Sequence, residues 1–160
     1  MEAYLGEAME KGLVLDAVIA QTEAQSKALW MLRENHTEAS KREGPSIKHD
    51  ISVAVSKIPG FVPEGVAAMT KALPGCRPLI FGHVGDGNLH FNCQAPAGWS
   101  KPEFMKHGEA ISGGVYDLVT SYGGSISAEH GIGRIKVEEL AHYRTKIELD
   151  VMRSLKRALD

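Results

Sequence analysis

The chain has 160 residues, 43% of them hydrophobic and 24% charged, enough for one globular domain with a real core. A net charge of −2 and a pI near 6.4 exclude the basic footprint of a protein that binds nucleic acid or an anionic membrane. No apolar run approaches the roughly 18 residues of a membrane span, no basic-then-apolar leader is evident, and the two cysteines, Cys76 and Cys93, lack CxxC spacing and read as reduced thiols in a cytoplasmic protein.

Residues 1–32 predict two helical pieces. Tyr4, Leu5, Ala8 and Met9 recur at helical spacing up to Gly12, and residues 13–19 read as a strand or the start of a buried helix. From Gln21 to Glu34 the chain is polar and helix-forming, and Ala24, Ala28, Leu29 and Leu32 make a stripe expected to pack into a core. Asn35 to Ser46 is polar, with Gly44-Pro45 marking a loop. Residues 47–55 alternate as a strand does: Lys48, Asp50 and Ser52 fall on one face, and Ile47, Ile51, Val53 and Val55 on the other. His49 points away from the polar set and reads as a core-edge histidine. Pro59-Gly60 breaks the strand, Pro63-Glu64 opens a helix, and Pro74-Gly75 ends it.

Residues 80–93 read as a β-hairpin. Asp86-Gly87 is the dipeptide that favours a two-residue type I′ turn, because both central residues need positive φ. That turn pairs His83 with His90 and Phe81 with Asn92. The period of two then puts Ile80, Val84, Leu89, Phe91 and Cys93 on an apolar face, and His83, Asn88, His90 and Asn92 on a polar one. Opposed residues have Cβ atoms about 4.5–5.5 Å apart, so two imidazoles can converge on one divalent ion. The competing reading is a stacked histidine pair hydrogen-bonded to its Asn neighbours.

Ser100 caps a helix predicted to run to about Ser121, and Tyr122-Gly123-Gly124 turns into a strand at Ser125–Glu129. The acid and histidine of Glu129-His130 should divide the work, since adjacent strand residues face opposite ways. Glu129 would complete a His83, His90, Glu129 ligand set with an open position, and His130, turned aside by Gly131-Ile132-Gly133, would be an acid or base. A short helix near Lys136–Ala141 and an amphipathic helix near Lys146–Leu159 follow, the latter with Ile147, Val151, Leu155 and Leu159 as its expected buried stripe. The whole is an α+β pattern, βαββαβ or ferredoxin-like, with an antiparallel sheet and helices on one face.

The segments His83-Val84-Gly85-Asp86-Gly87-Asn88-Leu89-His90 and Glu129-His130-Gly131-Ile132-Gly133 together resemble the signature pair of the C-terminal, substrate-side domain of FAD-linked oxidases of the vanillyl-alcohol-oxidase type. These include the D-lactate, D-2-hydroxyglutarate and glycolate dehydrogenases. The similarity covers most of the chain. In that family a Trp-x-x-Arg-Glu segment brings an arginine to the substrate carboxylate, and Arg33 of Trp30-Met31-Leu32-Arg33-Glu34 occupies that place. A planar guanidinium grips a carboxylate bidentately, which suits the role. Thr37 and Lys48 match further substrate-contacting positions.

What the resemblance implies is a flavin- and metal-dependent oxidation of a D-2-hydroxy acid to the 2-oxo acid, with hydride passing to FAD. A divalent ion on His83, His90 and Glu129 would bind the substrate oxygens, His130 would take the hydroxyl proton, Arg33 and Lys48 would hold the carboxylate, and Asn92 would steady the bound oxygen or a histidine. Zinc suits the ligand set, and manganese or iron would also fit. FAD is held mainly by a separate N-terminal domain in that family, and nothing here makes a dinucleotide site, since Gly131-Ile132-Gly133 lacks the third glycine. The expectation is therefore a substrate- and metal-binding fragment over residues 1–160, inactive without its FAD-binding domain and self-associating as a homodimer. The alternative expectation is a non-catalytic metal-binding or dimerisation module.

Overall fold

Four short strands and eight helices carry the chain in a computed structural model that describes residues 1–160. They fall into two units, Met1–Arg42 and Glu43–Asp160.

The first unit contains α1 (Glu2–Glu10), α2 (Glu23–Glu34) and α3 (His36–Arg42). Thr22 starts α2 by accepting the Gln25 N–H on its hydroxyl at 3.2 Å, a standard satisfaction of an orphan donor. Residues 13–19 are neither strand nor helix, and Leu13 and Leu15 are 76% and 95% exposed. The α2 stripe is not core: Leu29 and Leu32 are exposed and no residue of the helix is buried. Amphipathic spacing reports that a face is apolar and not what covers it. The stretch expected as a polar loop folds as α3, whose first turn closes when Ala39 donates to the Asn35 carbonyl.

In the second unit, β1 (Ser46–Ile47) and β2 (Asp50–Ser52) form the alternating strand expected over residues 47–55, interrupted at Lys48-His49. Both pair antiparallel with one edge of β4 (Asn88–Gln94), and β3 (Arg77–His83) pairs with its other edge. Gly124 then leads to an antiparallel bridge between Ser52 and Ser125 on the far side of β2. The sheet order is thus β3, β4, β1 with β2, then the bridge. This is the ferredoxin-like arrangement with its last strand cut to a single residue pair.

Helix α4 (Ile58–Ala72) crosses from β2 to β3, and α6 (Gly108–Ser121) returns the chain from β4 to the bridge. Both helices lie on the apolar sheet face. Phe61 and Met69 of α4, Ile111, Val115 and Val119 of α6, and Ile51, Leu89, Phe91 and Cys93 of the strands share one buried core. Burying a side chain of this size stabilises by about 1.5–3 kcal/mol, which fixes which sheet face is inside. Helix α4 begins five residues earlier than Pro63 suggests: Pro59 sits in its first turn, where a missing N–H costs nothing, and Pro63 lies inside it. The helix expected from Ser100 to Ser121 is two, α5 (Lys101–Met105) and α6, separated at Lys106-His107.

The hairpin differs from expectation in its turn. Residues 84–86 form a 3-10 turn closed by Gly87 at φ 80°, so four residues rather than two separate the strands, and His83 pairs with Asn88 and Phe81 with His90. The register moves by two residues, and a period of two returns every strand side chain to the face already assigned. Only Val84 changes place: it lies in the turn, 58% exposed. The last two helices are α7 (Val137–Tyr143) and α8 (Lys146–Leu159). The α8 stripe is exposed, with Ile147 at 78% and Leu155 at 58%, and so lies outside the core.

Candidate functional site

The sheet face turned away from α4 and α6 carries Asn88, His90 and Asn92 of β4, with Asp50 directly opposite His90. Each is there because strand residues two apart share a face. The ring of His90 lies 4.9 Å from that of Phe81, its partner on β3, tilted by 41°, and 6.2 Å from the ring of His83. His83 and His90, expected opposite each other, instead stand diagonally across β3 and β4, His83 facing Asn88 and His90 facing Phe81.

The segment after the bridge reaches this face without forming the expected strand. Ser125 turns its hydroxyl back to donate to the Ser127 carbonyl at 2.7 Å, and the chain bends through residues 126–130. The buried carboxylate of Asp50 then takes two amides of that bend on one oxygen, Ala128 N–H at 3.1 Å and His130 N–H at 2.8 Å. Its other oxygen accepts the Asn88 side-chain amide at 3.3 Å. Gly131, at φ 72°, carries the chain away in a conformation that costs other residues about 1–2 kcal/mol.

Because the strand is lost, Glu129 and His130 are freed from pointing to opposite faces. Glu129 reaches His90, with Oε1 3.1 Å from Nε2, and His83, with Oε2 3.7 Å from Nδ1. His130 Nε2 lies 3.7 Å from the same Oε1, and its ring is 5.6 Å from that of His90. One ligand atom each from Asp50, His90, Glu129 and His130 falls within 4.8 Å of every other. Ligand atoms around a four-coordinate zinc at 2.0–2.2 Å stand about 3.4 Å apart, so the group is at most about 1.4 Å looser than such a site. Imidazole nitrogens and a carboxylate oxygen are a mixed set that suits zinc, manganese or iron, and Asp50, both of whose oxygens already accept N–H donors, is the member of the group least free to join them. His83 borders this cluster on the Glu129 side.

Asp50 is the site residue that sequence reasoning left out. Burial by itself would raise its pKa, but the two backbone N–H donors of His130 and Ala128, then the nearby His130 and His90 rings, more than compensate and hold the carboxyl below its ordinary value. It therefore stands ionised at neutral pH while only 3% exposed. Its place on the same strand face as Lys48 and Ser52 was the one signal available from the sequence.

The remaining predicted residues lie as follows. Asn92 is buried on the same sheet face, and its side-chain oxygen accepts the His49 N–H at 3.3 Å, tying β4 to the break between β1 and β2. Lys48 is exposed at that break. Arg33, in the last turn of α2, and Thr37, in α3, are exposed residues of the first unit.

Comparison with known proteins supplies the context of this geometry. The family described as FAD linked oxidases, C-terminal domain, matches residues 1–160. A D-2-hydroxyglutarate dehydrogenase of Stutzerimonas stutzeri is 40% identical over 152 residues, covering 95% of this chain and 32% of the relative. One of Xanthomonas citri pv. viticola is 41% identical over the same length. The mitochondrial D-2-hydroxyglutarate dehydrogenase of Arabidopsis thaliana is 36% identical over 160 residues, all of this chain and 27% of the relative. The chain spans about a third or less of the length of these curated relatives.

Proposed function

The chain belongs to the C-terminal domain family of FAD-linked oxidases, and from that premise we propose that it is the substrate-side part of a metal-assisted D-2-hydroxy acid dehydrogenase. Its relatives' names point to D-2-hydroxyglutarate as the substrate. The observation that carries the reading is the meeting of His90, Glu129 and His130 over a buried, ionised Asp50 on one sheet face.

His83, His90 and Glu129 are the residues we assign to a divalent ion, with His130 beside them. When bound, such an ion supplies Lewis-acid polarisation of a hydroxyl, and FAD on its own domain supplies the hydride acceptor. His130, whose Nε2 lies 3.7 Å from Glu129 Oε1, receives the hydroxyl proton on a ring nitrogen. Lys48 would neutralise the substrate carboxylate and Asn92 would steady the bound oxygen or a histidine, while Arg33 and Thr37 are the further substrate contacts that the family resemblance implies. Phe81 shields one side of His90 from water.

The test is dye reduction by the chain joined to an FAD-binding domain, with D-2-hydroxyglutarate offered beside D-lactate and glycolate. His90→Ala is expected to lower kcat/KM at least about a hundredfold, the loss of a Lewis acid worth several kcal/mol. An undiminished rate on every 2-hydroxy acid contradicts the reading. A stoichiometric ion with no turnover in the unsubstituted protein favours instead a non-catalytic metal-binding module.

A further inference from the structure

We propose that Asp50 is a positioning residue, whose buried carboxylate sets the direction in which Glu129 and His130 leave the main chain toward the ion and the substrate. The inference rests on the metal-site reading above, and extends it from the residues that touch the ion to the one that aims them.

Segment 126–130 is held at its start, where Ile126 enters the core, the Ile126 carbonyl accepts Lys136 Nζ at 2.8 Å and Ser127 bonds with the Ser125 hydroxyl, and Asp50 holds the part that carries Glu129 and His130. Beyond the single bridge of Ser52 with Ser125 it belongs to no strand or helix, so its amides have no ladder to fill. Asp50 Oδ2 takes two of them, from Ala128 and His130, and so pins Glu129 from both sides. The carboxylate is itself fixed two ways. Its backbone is paired in β2 opposite His90. Its Oδ1 is held by the Asn88 side chain. Asn88 is anchored in turn, because its N–H donates to Asp86 Oδ1 at 3.0 Å across the hairpin turn.

The anchor of the bend is therefore the hairpin that carries His83 and His90. One carboxylate joins the two halves of the ligand set, His83 with His90 and Glu129 about 40 residues further on, as a single rigid frame. An ionised acid serves all three donors at once: asparagine could keep both amides on its one oxygen, but it would turn an N–H₂ group toward the Asn88 amide and lose the charge that strengthens all three bonds. Partners that orient metal ligands in this way typically govern metal affinity by 10–100-fold.

Titration of the 160-residue chain with Co²⁺ alone, followed by visible absorption, tests the role. Asp50→Asn is expected to weaken the apparent Kd by about 10–100-fold while the spectrum at saturation keeps its band positions and intensities, because every ligand remains. Equal affinity overturns the proposal. A changed spectrum at saturation also overturns it, since Asp50 would then be a ligand itself.

Amide exchange of the unsubstituted, ion-free chain by NMR reads the same hold even if the variant fails to fold. Ala128 and His130 should exchange at least about tenfold more slowly than Glu129 between them, and equal exchange of all three contradicts the role. Failure of the unsubstituted chain to take up Co²⁺ would sink the metal reading instead, an outcome distinct from unprotected amides.

Discussion

His49 and Asp50 are adjacent, and strand alternation sends one into the core and the other to the site. His49 is 1% exposed, its Nδ1 is 2.7 Å from the Phe91 carbonyl oxygen and its Nε2 2.9 Å from the Ser112 hydroxyl, and its ring meets Tyr116 edge-on. Burial pulls its pKa from the ordinary 6.5 down to about 4, a shift that the Phe91 carbonyl opposes and the charge of Lys136 adds to. A histidine kept neutral in the fold binds its proton only when unfolded, so stability is present above about pH 6.5 and is lost as pH falls toward 4. Urea unfolding should show a loss of about 2 kcal/mol between pH 7 and pH 5 from this group, and His49→Gln should be less stable but flatter across that range. An unchanged slope in the variant would remove the assignment. The sequence identified His49 as a core-side residue because alternation is local. Asp50 escaped notice because the amides it binds lie about 80 residues away, and no spacing rule reaches that far.

At the scale of elements, the hairpin illustrates what a pattern can and cannot convey. Its faces were legible because binary alternation survives a shift of two residues, whereas the turn was not, because Asp86-Gly87 fits a four-residue loop as well as a two-residue one. Gly87 lies at φ 80°, and a Cβ there would fall on the Val53 carbonyl, which accepts no such intrusion from a paired backbone. Gly87→Ala should therefore cost at least about 2 kcal/mol, from backbone conformation and overlap together. Thermal unfolding checks this, and a variant as stable as the parent would mean that the turn is looser than described. The strand expected at Ser125–Glu129 failed for a related reason: its apolar and small residues suit a strand, but a buried acid on β2 competes for its amides and wins after one bridge.

For the molecule as a whole, hydrophobic periodicity told helices from strands but not covered faces from uncovered ones. The stripes of α2 and α8 have the same spacing as that of α6, yet only the last is buried. Leu155→Ala should change the stability of the chain by less than about 0.5 kcal/mol, while Ile111→Ala should cost about 2–5 kcal/mol. Chemical denaturation of both variants distinguishes an exposed stripe from a core one, and comparable losses would place α8 in the core after all. The ferredoxin-like order followed from the sequence of elements, whereas the reach of residues 126–130 across the sheet to His90 did not. The most direct measurement of the central claim is calorimetric titration of Zn²⁺ into the chain and into His90→Ala. The account predicts one ion per chain, with affinity lower by at least about a hundredfold in the variant as a direct ligand is lost. Equal binding by the two proteins, or no binding by either, would contradict it.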